Sequence, residues 1–281
     1  MKRSAPPDRH DRTGRDASHS CMAGTPATVP TAGQPKLMGA GVRRQAPGSE
    51  RREDRVLYSR ASRVAFAHYP KTGGTSLQHW FRRAFPDAHL LVPDNPHLPV
   101  RAALDLIAAA ERHDRRPPWF PWRTAPAEPR PRIVVGVLRE PFEMLVSLFE
   151  YWRDFPFTVE PTAAFIRAAR GGAFVDFLRL AVIDGQLPTY EWFFDAGGPA
   201  WPQTRLLDFR SLDTTLASLA HELGLREPPA LEHRNAHPGG RDLDGYRAAA
   251  GSLTDRVQEY FGWYYSYAAG RAAGDPIGRA A

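Results

Sequence analysis

The chain is poor in cysteine, with only Cys21. No intramolecular disulfide is open to it, and no metal site can be assembled on thiolates. It has no apolar run approaching the roughly 20 residues that a membrane span requires. Its basic N-terminus lacks the apolar core of a signal peptide. These absences point to a soluble, cytoplasmic protein with no transmembrane segment. No internal repeat is visible, and none of the ten histidines pairs with another at metal-ligand spacing. Lysine is the scarcest charged residue. Only Lys2, Lys36 and Lys71 occur, and 24 of the 25 basic residues from position 61 onward are arginine. A lysine retained against that bias suggests a need for a compact, mobile point charge rather than a flat fork.

The charge is as unevenly placed as the lysines. Residues 1–60 hold 12 Lys/Arg against 6 Asp/Glu, whereas residues 61–281 hold 25 of each. The formal +6 therefore lies wholly in the first 60 residues. A neutral remainder argues against a general polyanion surface, so no nucleic-acid partner is expected, although a local basic pocket is compatible with it. Residues 1–60 are rich in Pro, Gly, Ser, Thr, Arg and Asp and cannot bury enough apolar surface to order themselves. They read as a disordered basic tail, and Met22 and Met38 offer alternative starts within it. One α/β domain over residues 61–270 and a frayed C-terminus over 271–281 complete the expected organisation.

The domain is organised around Arg63–Phe85. Val64–Tyr69 is an apolar run that reads as a buried strand, ended by Pro70. Lys71-Thr72-Gly73-Gly74-Thr75-Ser76 follows, then a helical pattern carrying Leu77, Trp80, Phe81 and Phe85. Thr75 and Gln78 have the spacing of a capping box. Strand, glycine turn and helix start together make a phosphate holder. The turn lets backbone amides converge, the helix N-terminus adds partial positive charge, and Lys71 adds a full one. The pattern is not Walker A, because here the lysine precedes the glycines.

A second informative stretch is Arg132–Trp152. Ile133–Leu138 is continuously apolar, as expected of a strand buried on both faces of a parallel sheet. Arg139 stands at its carboxyl end, Pro141 suits the first turn of a helix, and Ser147 lies eight residues after Arg139. Ligands of open parallel sheets bind at the carboxyl ends of the strands. Arg139 and Ser147 there suit a second phosphate. A structural role is also open to Arg139, as a salt bridge with Glu143 at the helix terminus.

PKTGGTSL followed by LREPFEMLVSLFEYW resembles the PAPS-dependent sulfotransferases of the P-loop type, most closely their carbohydrate and membrane-associated branch. The resemblance runs loosely from about residue 63 to about 268. It implies a P-loop-like central parallel sheet flanked by helices. It also implies transfer of a sulfuryl group from PAPS, leaving PAP, to a hydroxyl or amine of a glycan, lipid or small-molecule acceptor, without a metal. Lys71 matches the family's loop lysine, and the loop Lys71, Thr72, Gly73, Gly74, Thr75 and Ser76 matches its 5′-phosphosulfate site. Arg139 and Ser147 match its 3′-phosphate arginine and serine. Three departures stand out. Gly74 often is not glycine in the family, Glu140 replaces a frequent asparagine, and Gly239-Gly240-Arg241 has the wrong order for a nucleotide loop.

An acceptor needs a base. In glycan-modifying relatives it follows the loop lysine by some tens of residues. In that span the candidates are His97 and Asp94, with His68 next by position; His97 is preferred as a group poised near neutral pH. Further elements read as a strand at 88–92, helices at 102–110, 161–169, 173–183 and 252–269, and a strand at 204–209. A helix capped by Asp213 and ended by Gly224 follows that strand. Residues 113–131, with Trp119, Phe120 and Trp122, and 185–203, with Tyr190, Trp192, Phe193, Phe194 and Trp201, read as loops. Two other classes stay open. Asp208 could act as a Mg²⁺ carboxylate in a P-loop kinase or NTPase, and a non-catalytic nucleotide-binding interaction protein would bind PAP without turnover.

Overall fold

The computed structural model describes residues 56–91, 97–113, 131–156, 162–195, 203–234 and 241–272. Its centre is a five-stranded sheet of order β3-β1-β2-β4-β5, formed by β1 (Leu57–Ser59), β2 (Val64–Phe66), β3 (His89–Leu90), β4 (Ile133–Leu138) and β5 (Gln203–Asp208). β2, β4 and β5 run parallel, with Val64 opposite Ile133 and Ile133 opposite Gln203. β1 is antiparallel to both β2 and β3. The sheet is therefore mixed, not parallel throughout. β1 also moves the start of the domain to within the first 60 residues. Val56, Leu57 and Tyr58 are all buried, and Leu57 and Tyr58 pair through the sheet. The charged and polar residues around them hide a three-residue strand that is short but buried throughout.

The strands divide their side chains between two faces with period two. Leu57, Val64, Phe66, Ile133, Val135 and Val137 pack against α1 (Gly74–Ala84) and, further along the chain, the helix Leu212–Glu222. Tyr58, Ala65, Ala67, Val134 and Leu138 face the other way. There they meet α2 (Val100–His113), α3 (Pro141–Asp154), α4 (Ala163–Arg170), α5 (Phe174–Leu178, continued by a π-helical turn Arg179–Ile183) and α6 (Tyr190–Phe194). Three layers, helix–sheet–helix, result. The Leu212–Glu222 helix is α7; α8 (Leu243–Ala250), α9 (Leu253–Tyr260) and α10 (Gly262–Ala272) complete the chain. Gly136 admits α6 to the sheet, because a Cβ there would fall 2.3 Å from the Phe194 ring.

Several boundaries depart from the sequence reading. Residues 190–194 form α6 rather than a loop, and Tyr190, Phe193 and Phe194 are core; only Trp192 of that helix is exposed among the aromatics. The last helical segment is broken at Phe261, so α9 and α10 are separate. Thr75 and Gln78 form no capping box: α1 already begins at Gly74, after Gly73 in the left-handed region. Asp213 lies in the first turn of α7, not at its cap, which is Ser211. Pro141 does open α3, and Glu140 caps it, accepting from the Glu143 amide at 2.8 Å. That is the cap an asparagine would have provided. Trp119, Phe120, Trp122, Trp201, Gly239, Gly240 and the tail over 1–55 lie outside the described residues. Among the described residues no helix is long and apolar enough to cross a membrane.

Candidate functional site

The carboxyl ends of the three parallel strands β2, β4 and β5 carry the site. Beyond β2 the chain turns at Lys71, whose φ of 60° is left-handed, and at Gly73, with φ 83°. A lysine in that region is strained by roughly 1 kcal/mol or more, and such strain is found where the surroundings enforce it. The Thr72 hydroxyl closes the turn by donating to the Tyr69 carbonyl at 2.8 Å. Leu77 is the first residue here whose amide reaches back four residues, to the Gly73 carbonyl at 3.2 Å. The amides of Gly74, Thr75 and Ser76 thus occupy the helix positions that have no intrahelical acceptor and suit an anion. The Ser76 hydroxyl accepts from the Arg234 amide at 2.8 Å, which ties the loop to the segment after α7.

Arg139 follows β4 and is buried. Its Nη1 donates to the Lys71 carbonyl at 3.2 Å, so two motifs 68 residues apart meet directly. Its guanidinium lies 4.5 Å from the centre of the Phe209 ring, and Phe209 follows β5 and also packs over Gly73. The structural alternative for Arg139 is present too: Nε lies 3.8 Å from Glu143 Oε2. That is ion-pair range but too long for a hydrogen bond, and buried Nε has no hydrogen-bond acceptor among the described residues. Burial, and next the nearby Arg241 charge, push the Arg139 pKa down, while Glu143 pulls it up. A desolvated guanidinium with a donor to spare fits an incoming anionic oxygen. From behind, the Tyr190 hydroxyl donates to the Arg139 carbonyl at 2.8 Å.

Ser147 is buried on α3. One turn further on the same face stands Tyr151, whose ring centre is 4.3 Å from Lys71 Nζ. α3 therefore approaches the lysine on the face that holds Ser147.

The two histidine candidates are brought together beside this loop. His97 Nδ1 lies 3.1 Å from the His68 carbonyl, and the two rings are 4.9 Å apart. A carbonyl can only accept, so Nδ1 carries the proton and, in the neutral ring, Nε2 keeps its lone pair. The buried His68 is held well below its ordinary pKa, first by burial and then by the His97 and Lys71 charges. Asp94 lies outside the described residues. Asp208 accepts from the Arg210 amide at 2.9 Å and so caps the short turn after β5.

Four residues here were given no role in the sequence reading: Tyr151, Phe209, Arg210 and Arg241. Tyr151 had a signal, since it follows Ser147 by one helical turn. Phe209 and Arg210 had another, since they stand just beyond a strand's carboxyl end. Arg241, which pairs with Glu150 of α3 at 2.5 Å, had none. No family model, curated protein or solved structure matches this chain.

Proposed function

We propose that the chain is a PAPS-dependent sulfotransferase with a P-loop-like site, acting on a hydroxyl or amine of a glycan, lipid or small molecule. The observation that carries this reading is the contact of Arg139 Nη1 with the Lys71 carbonyl. It joins a loop suited to a 5′-phosphosulfate to an arginine suited to a 3′-phosphate on one sheet edge. The Lys71 ammonium, with the amides of Gly73, Gly74, Thr75 and Ser76, would hold the 5′ end. Arg139 and Ser147 would hold the 3′-phosphate. Bound PAPS supplies the activated sulfuryl group, whose bond to the 5′-phosphate breaks as its bond to the acceptor atom forms, releasing PAP. Lys71 neutralises charge growing on the leaving phosphate oxygen, a role of position and electrostatics. His97 Nε2 takes the acceptor's proton, its tautomer set by the His68 carbonyl.

Calorimetric titration with PAP and with ADP tests the assignment, because only PAP carries a 3′-phosphate. PAP binding at least tenfold tighter than ADP is expected. Equal affinity, or tighter ADP binding that requires Mg²⁺, would overturn it.

A further inference from the structure

Glu143 stands between two arginines. Its Oε1 accepts from Arg210 Nη2 at 2.5 Å, while its Oε2 stays 3.8 Å from Arg139 Nε. Both carboxylate oxygens are thus oriented, but only Arg210 is hydrogen-bonded. Arg210 itself is 64% exposed, whereas the Arg139 and Glu143 side chains are 10% and 14% exposed. A surface arginine holds the largely covered carboxylate, and the buried arginine keeps a donor with no acceptor among the described residues.

The spacing makes this arrangement consequential. Glu143 follows Arg139 by four residues at the start of α3, and its amide is held by the Glu140 cap at 2.8 Å. Its side chain has only to turn about its own bonds to close on Arg139. A carboxylate in bidentate contact would occupy the fork that a phosphate needs. It would also cancel the charge. Arg139, Glu143 and Arg210 together carry one net positive charge, whereas Arg139 and Glu143 alone carry none. The other groups near Glu143 and Arg139 do not replace Arg210. Glu140 is an acid that accepts from the Tyr265 hydroxyl at 2.6 Å, and Arg241 is paired with Glu150.

We infer that Arg210 is a positioning residue for the nucleotide's 3′-phosphate: by holding Glu143 it keeps the Arg139 fork open and offsets the Glu143 charge beside it. The inference rests on the proposed donor, and it predicts a dependence between residues, not merely a loss. Arg210→Ala should weaken PAP about tenfold and leave adenosine 5′-phosphosulfate, which lacks the 3′-phosphate, within twofold. Glu143→Gln alone should not weaken PAP. The double variant Arg210→Ala/Glu143→Gln restores a net charge of one and should recover PAP affinity to within about threefold of the wild type. Calorimetry of the four proteins with both nucleotides, each checked for an unchanged melting transition, reads all of this. Equal losses for both nucleotides, or a double variant as weak as Arg210→Ala, would overturn the inference; the latter would make Arg210 a direct phosphate ligand. Should the wild type itself fail to prefer PAP over adenosine 5′-phosphosulfate, the donor reading falls and the inference with it.

Discussion

His68 lies directly under Gly74: a methyl group added to Gly74 would fall 1.9 Å from the imidazole Nε2. The glycine at the start of α1 is therefore required by a neighbour's ring and not by its own dihedral angles. Gly74→Ala should destabilise the protein by about 1–3 kcal/mol, the usual range for overpacking a filled core. Gly74→Ala/His68→Ala should be less destabilised than the sum of its single variants. Urea denaturation of the four proteins measures this coupling, and strict additivity would contradict the contact.

The same imidazole sets a pH dependence. Its folded pKa is depressed below its unfolded value, chiefly by burial. Above the unfolded pKa of about 6.5 both states are neutral, and the group contributes no slope. As pH falls below that value the unfolded chain takes a proton that the folded one refuses, so stability drops, by at most about 1.4 kcal/mol per pH unit for one such group. Between pH 7.5 and 5 the melting temperature of the wild type should fall more steeply than that of His68→Gln. Parallel curves would mean that His68 is protonated in the fold.

Lys71→Arg should keep the fold and lose turnover, on the order of a hundredfold, as expected for the loss of one well-placed charge donor. A planar fork cannot follow the leaving oxygen as an ammonium can. On the proposed sulfotransferase reading, transfer from PAPS to a hydroxyl or amine acceptor gives the rate; near-normal turnover would show that charge alone suffices.

If the proposed donor binds as described, Arg139→Ala removes a charged hydrogen bond worth about 1.5–3 kcal/mol and should weaken PAP roughly ten- to a hundredfold. Ser147→Ala should cost on the order of 1 kcal/mol. Neither should weaken adenosine 5′-phosphosulfate comparably. If Arg139→Ala weakens both ligands alike, its bond to the Lys71 carbonyl is scaffolding for the loop.

Removing residues 1–55 should leave the melting temperature within a few degrees of the full chain. Removing residues 1–60 takes away β1, with the buried Leu57 and Tyr58 that join β2 to β3. At several kcal/mol for two large core side chains, that deletion should abolish cooperative unfolding. A cooperative transition in the shorter chain would show that β1 is expendable.

What the sequence revealed was whatever period and punctuation could encode. The apolar run 133–138 and Pro141 gave a strand and a helix start almost to the residue, and Gly224 does end α7 in the left-handed region, with φ 73°. The convergence of Lys71 and Arg139 followed from the rule for strand ends, and their contact agrees with it. The failures lie where tertiary packing overrode local signals. Three residues at 57–59 are too few to show alternation, so the antiparallel addition to the sheet was invisible. Aromatics at 190–194 sit among turn-forming residues, but Gly136, 54 positions earlier, makes the space that turns them inward. His97 was placed beside the loop only by analogy; its hydrogen bond to the His68 carbonyl is long-range and leaves no sequence trace.

The notch at Gly136 also ties two distant positions into one size rule. The strand can accept α6 only if residue 136 has no side chain or residue 194 gives up its large ring. Tyr190, four residues before Phe194, anchors the Arg139 carbonyl, so position 136 is linked through α6 to the residue just past the end of β4. Homologous chains should therefore trade volume between these positions: glycine with phenylalanine, or alanine with a smaller partner. Such paired variation would mark kinship even where the Lys71 loop has drifted.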